Sequence, residues 1–246
     1  MKITSVNNDL IKEITKLQQR KYREQQGLFL LEGNKAIEEA IEFGIEIEHL
    51  FEQEGCSDFI SNKKRIETTE AVLSKISSTT TPPKVVAVAK IPDLKWNNSF
   101  KKVVLLEDIK DAGNLGTILR TACAFNIDAI VLYGDTVDLY NPKCVRASVG
   151  NLWKIPTFNI KDFSDLEQYF SDFERIATLP KSESSIWLKD YTPQDKTLVM
   201  FGAESSGLSN KLKSFATKNV TIEMNNKVES LNLSISAGVF LYKFVN

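Results

Sequence analysis

The run Lys102-Val103-Val104-Leu105-Leu106-Glu107-Asp108-Ile109-Lys110-Asp111-Ala112-Gly113-Asn114-Leu115-Gly116-Thr117-Ile118-Leu119-Arg120-Thr121-Ala122 passes from an unbroken apolar stretch, through a glycine-bearing turn, into a helical pattern. Four successive apolar residues, Val103 to Leu106, predict a strand buried on both faces. Glycines at a strand-to-helix turn let the backbone approach a ligand, and the helix N-terminus offers it free N–H groups. The helical periodicity is read over Ile118 to Phe125, which puts Arg120 about one turn inside. Apolar runs recur at Ala129 to Leu132 and near residues 175–178, 197–201 and 219–222, and an apolar helix is expected from about Leu231. Short continuous strands separated by helices argue for an α/β fold with a mostly parallel sheet covered on both faces.

Upstream, a second α/β pattern is legible. Ile11, Ile14 and Leu17 recur at helical spacing after Asn7-Asn8, Leu28 to Leu31 reads as a buried strand, and residues 34–43 read as a helix closed by Gly44. Strands are expected at 47–51 and 84–91, with a helix over 69–76. Pro92, Asn97, Asn98 and Ser99 interrupt the periodic segments, so residues 93–101 read as a linker between a domain over 1–92 and another over 102–246. A chain of 246 residues fits one to two domains at roughly 150 residues each.

Thirty-one basic against 32 acidic residues exclude a binder driven by net positive charge, but not a local basic face. Residues 2–24 carry six cations against three carboxylates, and residues 32–54 carry eight glutamates against Lys35. Charge alone leaves these as ordinary solvated faces. Cys56, Cys123 and Cys144 form no CxxC pair, and His49, in an expected strand, is the single histidine. That composition gives no zinc or other metal site and no disulfide framework, and it removes Ser-His-Asp chemistry unless His49 serves. The N-terminus lacks the apolar run of a signal peptide and no stretch approaches a membrane span, so a cytoplasmic, membrane-free protein is expected.

Two further segments carry candidate chemistry. In Val199-Met200-Phe201-Gly202-Ala203-Glu204-Ser205-Ser206-Gly207-Leu208 a buried strand runs into a small-residue turn with one carboxylate. Ligands in α/β sheets bind at such strand ends; the alternative for Glu204 is to cap a helix starting near Ser209. In Ile222 to Ala237, Ser230, Asn232, Ser234 and Ser236 crowd the start of an apolar helix, where they cap it or touch a ligand. The dinucleotide and P-loop glycine fingerprints are absent.

In order and spacing these segments resemble the signature motifs of the SpoU/TrmH family of RNA 2′-O-methyltransferases, within the SPOUT superfamily. N-x-G-x-x-x-R-T-A corresponds to Asn114 to Ala122, F-G-x-E-x-x-G-L to Phe201 to Leu208, and the V-E-S-L-N motif with its following serine and alanine to Val228 to Ala237. Tyr140-Asn141-Pro142 and Val145 to Gly150 extend the resemblance, and the N-terminal third looks like the family's ribosomal-protein-like, RNA substrate-binding domain. Three positions depart: Glu223 replaces the proline of Ile-Pro-Met, Ser205 a common glycine, and Ala112 a common proline. A carboxylate at 223, if it points inward, would weaken cofactor binding.

The resemblance implies a deep trefoil knot in the C-terminal domain, a homodimer with shared active sites, and S-adenosylmethionine held near Thr178, Leu179, Gly202, Ile222, Met224 and Leu231. It implies methyl transfer to a ribose 2′-hydroxyl, with Arg120 as the catalytic residue and Asn114, Glu204, Ser230 and Asn232 orienting it and the ribose. The family assigns hydroxyl activation to that arginine. A guanidinium titrates above roughly pH 12, and holding a phosphate or a developing oxyanion suits it equally. Large ribosomal RNA (23S) is the expected substrate, with transfer RNA, a catalytically silent RNA-binding assembly factor, or a generic nucleotide-binding enzyme as alternatives. With RNA as the partner, Lys16, Arg20, Lys21 and Arg23 become expected contacts.

Overall fold

The computed structural model describes residues 1–56, 65–182, 184–225, 227, 228 and 230–244. Asn226 and Glu229, inside the third motif region, lie outside them. The chain divides into two compact units: Met1–Asp93 with Asp138–Trp153, and Leu94–Val137 with Lys154–Asn246.

The first unit contains β1 (Lys2–Ile3), α1 (Asp9–Lys16), α2 (Arg20–Gln26), β2 (Leu28–Glu32), α3 (Asn34–Glu42), β3 (Ile47–Gln53), β4 (Arg65–Thr68), α4 (Glu70–Ile76) and β5 (Val85–Lys90). Its sheet runs β1-β4-β3-β5-β2, with β5 antiparallel to both neighbours. Ile11, Ile14 and Leu17 of the first helical segment bury against Leu30, Phe51, Ile66, Leu73 and Val88, the pattern that their spacing predicts. Asn8 caps α1 by accepting the Leu10 N–H at 3.0 Å. Gly27, at φ +65°, closes α2 in the left-handed region that glycine adopts without cost.

The cations of residues 12–23 are divided between α1 and α2. One expectation is corrected here. Residues 138–153, read as part of the second domain, pack into the first unit. They hold a short helix whose first residue is Pro142, capped by Asn141, and Tyr140 stacks on Phe29 at 4.7 Å.

The second unit continues with β6 (Lys102–Glu107), α5 (Ala112–Ala124) and β7 (Ala129–Tyr133). The short helix in the first unit, Pro142–Ala147, is α6. Then follow β8 (Thr157–Ile160), α7 (Phe163–Tyr169), β9 (Glu174–Thr178), β10 (Ile186–Trp187), β11 (Thr197–Phe201), α8 (Asn210–Phe215), β12 (Lys218–Thr221) and α9 (Leu233–Tyr242). The sheet order is β10-β12-β9-β11-β6-β7-β8, and every pairing is parallel. Leu105 pairs with Met200 on one side and Val131 on the other, all buried, as the continuous apolar runs require. The order reverses between β6 and β11, so the strand ends there open a crevice. The stretch read as a linker is not free: Trp96 sits 4.9–5.4 Å from the rings of Phe100, Phe158, Tyr169 and Phe170. Helix α5 begins six residues earlier than its periodicity suggested, because Asp111 Oδ1 accepts the Asn114 N–H at 2.8 Å and nucleates the first turn.

Candidate active site

Four strand ends, those of β6, β9, β11 and β12, and the N-termini of two helices build the site. At the end of β6 the chain turns through Asp108, whose φ of +56° is unusual for a non-glycine residue. Its Oδ1 accepts the N–H of Asp135, 27 residues along the chain, at 2.6 Å and ties this turn to the chain that follows β7. Three residues on, Asp111 caps α5 and sets Asn114 in the first turn. At the end of β11, Gly202 lies so close to the returning backbone that an added Cβ would meet the Gly207 carbonyl carbon at 2.1 Å. The loop closes on itself as Gly207 N–H donates to the Ala203 oxygen at 2.8 Å, and Glu204 stands exposed at its tip. Beyond β12 the chain reaches Asn232, which caps α9: its Oδ1 accepts from Ser234 N at 2.9 Å, Ser234 Oγ at 2.7 Å and Ile235 N at 3.4 Å.

Side chains of the three motifs meet in one chain of hydrogen bonds. Asn114 Nδ2 donates to Glu204 Oε1 at 2.8 Å, and Asn232 Nδ2 donates to Asn114 Oδ1 at 3.1 Å. Glu204 does not cap α8; Ser209 does, accepting the Leu212 N–H. Arg120, ninth residue of α5, is exposed, and among the described residues nothing hydrogen-bonds or ion-pairs with its guanidinium. Nearby on α5, burial pushes the Cys123 thiol up, away from a reactive thiolate.

Beside this chain lies a cavity of about 350 Å³, within the roughly 300–1,000 Å³ common for small-molecule sites. Thr178, Leu179, Gly202, Ile222, Met224 and Leu231 all line it, with Glu204, Ser230 and Asn232; Arg120 and Asn114 do not. Sequence reasoning missed Pro180, Phe201, Ala203, Gly207, Thr221, Leu233 and Phe240 in its wall, and left Ser236 between capping α9 and touching a ligand. Ser236 and Phe240, four apart on α9, share a face once the helix start at Leu233 is known. Glu223 is absent from the wall: its carboxylate accepts from Lys189 Nζ at 2.6 Å on the surface, and that bond raises the lysine pKa. No cluster among the described residues has the ligands for a metal ion.

The expected RNA contacts fare unequally. Lys16 pairs with Glu13 at 2.5 Å, Arg20 with Glu24 at 2.7 Å, and Lys21 lies 5.9 Å from the Tyr22 ring centre, all near solvent. Arg23 is corrected: it is 2 % exposed, its guanidinium donating to Asp138 Oδ2 and to the Leu17 oxygen at 2.6 Å. A group so enclosed braces the first unit and does not reach a polyanion.

Comparison with known proteins gives a consistent picture. Residues 101–242 match the family described as the SpoU rRNA Methylase family, and residues 8–87 match an MRM3-like substrate binding domain. An uncharacterized tRNA/rRNA methyltransferase of Synechocystis sp. is 34 % identical, covering 98 % of this chain and 92 % of its own. The 23S rRNA (guanosine(2553)-2′-O)-methyltransferase RlmP of Bacillus subtilis is 29 % identical, over 98 % and 97 %. The crystal structure of an AdoMet-bound rRNA methyltransferase from Sinorhizobium meliloti superposes with a TM-score of 0.88 at 26 % identity, covering 99 % of this chain and 97 % of that one. Among the described residues no helix is long and apolar enough to cross a membrane.

Proposed function

The chain belongs to the SpoU rRNA methylase family, and from that premise we propose that it methylates a ribose 2′-hydroxyl of 23S ribosomal RNA, with S-adenosylmethionine as methyl donor. The observation that carries the reading is the hydrogen-bond chain Glu204–Asn114–Asn232, which unites the three motifs at the lip of the cavity.

The cavity suits the donor by its chemistry. Apolar Leu179, Ile222, Met224 and Leu231 line it beside Thr178 and Gly202, and Gly202 leaves no room for a side chain. These residues would hold S-adenosylmethionine, which when bound supplies an electrophilic methyl group on a sulfonium. The chain's own work is then to orient a ribose and stabilise charge. Arg120, exposed and without a described partner, is suited to grip the adjacent phosphate and to face the oxyanion that develops as the hydroxyl loses its proton. Its permanent charge fits that role better than abstraction of the proton. Asn114, Glu204, Ser230 and Asn232 fix the surface against which the ribose rests.

The first unit would grip the RNA through Lys16, Arg20 and Lys21, supported by the substrate-binding match over residues 8–87. We read the C-terminal segment as the knotted element of the SPOUT fold; the joint lining of one cavity by Thr178 to Pro180, Gly202 to Glu204, Thr221, Ile222 and Ser230 to Leu233 favours this. Ile235, Val239 and Tyr242 leave an exposed apolar stripe on α9, which supports pairing of two copies through that helix. The work would be done in the cytoplasm, where ribosomal RNA is made.

The test is transfer of label from S-adenosylmethionine to total RNA of cells lacking this protein, resolved by size, with an Arg120→Ala control. Label in 23S RNA that vanishes in the control is expected. Label only in the small RNA fraction would refute the ribosomal substrate, and no label in RNA or ribosomal particles would refute the activity.

A further inference from the structure

We propose that Glu107 is a positioning residue for this site: its buried carboxylate clasps the exit of the Gly202–Leu208 loop and thereby sets where Glu204 stands. The inference rests on the methyltransferase reading for its consequence, though not for its geometry. Glu107 closes β6, directly beside β11, where Leu106 pairs with Phe201. It is 4 % exposed, and a carboxylate so enclosed is costly unless paired. Its Oε2 accepts the Ser209 N–H at 2.7 Å, a charge-assisted bond of the stronger kind. It does not line the cavity, so it would act through the loop and not on a ligand.

The loop needs such a clasp. Its entry is fixed by the pairing of β11 with β6. Its middle is closed by one backbone bond, Gly207 N–H to Ala203 oxygen, and by the close passage of Gly202 beneath Gly207. Residues 204–207 are exposed, and among the described residues the tip's tertiary bond is the one from Asn114 to Glu204. Its exit is Ser209, whose Oγ is already committed to capping α8 and whose N–H points back to Glu107. Four residues that line the cavity, Gly202, Ala203, Glu204 and Gly207, therefore hang between β11 and this bond.

The full-length chain is tested as Glu107→Ala, Glu107→Gln and Ser209→Pro. Glutamine keeps an acceptor oxygen. Proline fits Ser209's φ of −62° but has no N–H to give, and Ser209→Ala controls for the lost cap. Amide exchange of residues 203–209, calorimetric binding of S-adenosylmethionine, and kcat and KM for 23S RNA are measured. Glu107→Ala and Ser209→Pro should each speed Gly207 exchange and lower kcat by about tenfold, the worth of one charge-assisted bond. Cofactor Kd should rise in step while KM for RNA holds. Glu107→Gln, which keeps the acceptor but not the charge, should fall between wild type and Glu107→Ala, and Glu107→Ala/Glu204→Ala should be no slower than Glu204→Ala alone. Unchanged exchange and Kd in Glu107→Ala, or a glutamine variant as damaged as the alanine one, overturns the proposal. Should the wild-type chain transfer no methyl group, the functional reading fails, while the exchange rates still decide the clasp. Should Glu107→Ala fail to fold, Ser209→Pro and Glu107→Gln decide it.

Discussion

Replacing Arg23 by methionine separates a brace from an RNA contact. Methionine keeps much of the stem's apolar volume and deletes the guanidinium. The structure lets the cost be worked out. Arg23 gives Asp138 Oδ2 two bonds, from Nε at 2.6 Å and Nη2 at 2.5 Å, and gives the Leu17 oxygen a third at 2.6 Å. Its side chain is 2 % exposed and that of Asp138 is 13 % exposed. Breaking a buried pair by removing one partner costs about 3–5 kcal/mol, because the other charge stays enclosed. For a unit of about a hundred residues, about 4 °C is lost per kcal/mol, so the first unit should melt about 12–20 °C earlier. Calorimetry of the full chain reads that shift, and filter binding to 23S RNA at low temperature, across a salt series, reads the RNA term. The salt slope should match wild type. Asp138→Asn should destabilise similarly, and the double variant should cost less than the two singles together. A melting shift below about 2 °C, about what a surface pair is worth, combined with a flatter salt slope, would refute the assignment and return Arg23 to the RNA surface.

Arg120→Ala should leave melting within about 0.5 kcal/mol of wild type while cutting methyl transfer by about 10²–10³, as for a lost charge-stabilising group; retained turnover would remove it from the chemistry. Asn114→Asp places a second carboxylate where an amide now donates to Glu204, so its kcat should fall below that of Asn114→Ala, by about tenfold more. Gly202→Ala forces a Cβ to within 2.1–2.2 Å of backbone, and calorimetry should find cofactor binding lost while β11 stays paired, as seen by amide exchange. Changing Lys16, Arg20 and Lys21 together to alanine should reduce the slope of log K against log salt by about one unit for each phosphate no longer gripped, and an unaltered slope would take this surface out of the interface.

The parallel sheet was legible because its strands are buried on both faces, and Val103–Leu106, Ala129–Leu132 and Leu198–Phe201 carry no polar interruption. The start of α5 was not, because Gly113 and Gly116 read as a turn; the helix begins there through Asp111's cap and the burial of Leu115 and Gly116. The β4 strand, four residues with two polar ones at its ends and a third within, offers no run to detect, yet it pairs with both β1 and β3. The six residues that the family resemblance implied for the cofactor lie in the cavity wall, whereas Phe240, deep in an apolar helix, carried no signal that set it apart from core. Arg23 misled for a general reason. A cation among cations reads as surface, and only its distant partner Asp138, 115 residues along the chain, shows that it is enclosed.

The order of donors in the site has a consequence for Arg120. Asn232 Oδ1 faces three donors at the head of α9, so that atom is an oxygen and the amide cannot be reversed. Its Nδ2 must then donate, and the atom it meets on Asn114 must be the oxygen. Asn114 Nδ2 is thereby turned toward Glu204, which can only accept. The direction of every bond from helix cap to carboxylate is thus dictated by the α9 N-terminus, with no rotamer choice left in between. Glu204 Oε1 is taken by Asn114, and among the described residues Arg120 makes no bond to this chain. On the proposed function, a cation outside the network would meet an incoming phosphate without first breaking a protein bond, and the free energy of that contact would be available to orient the ribose.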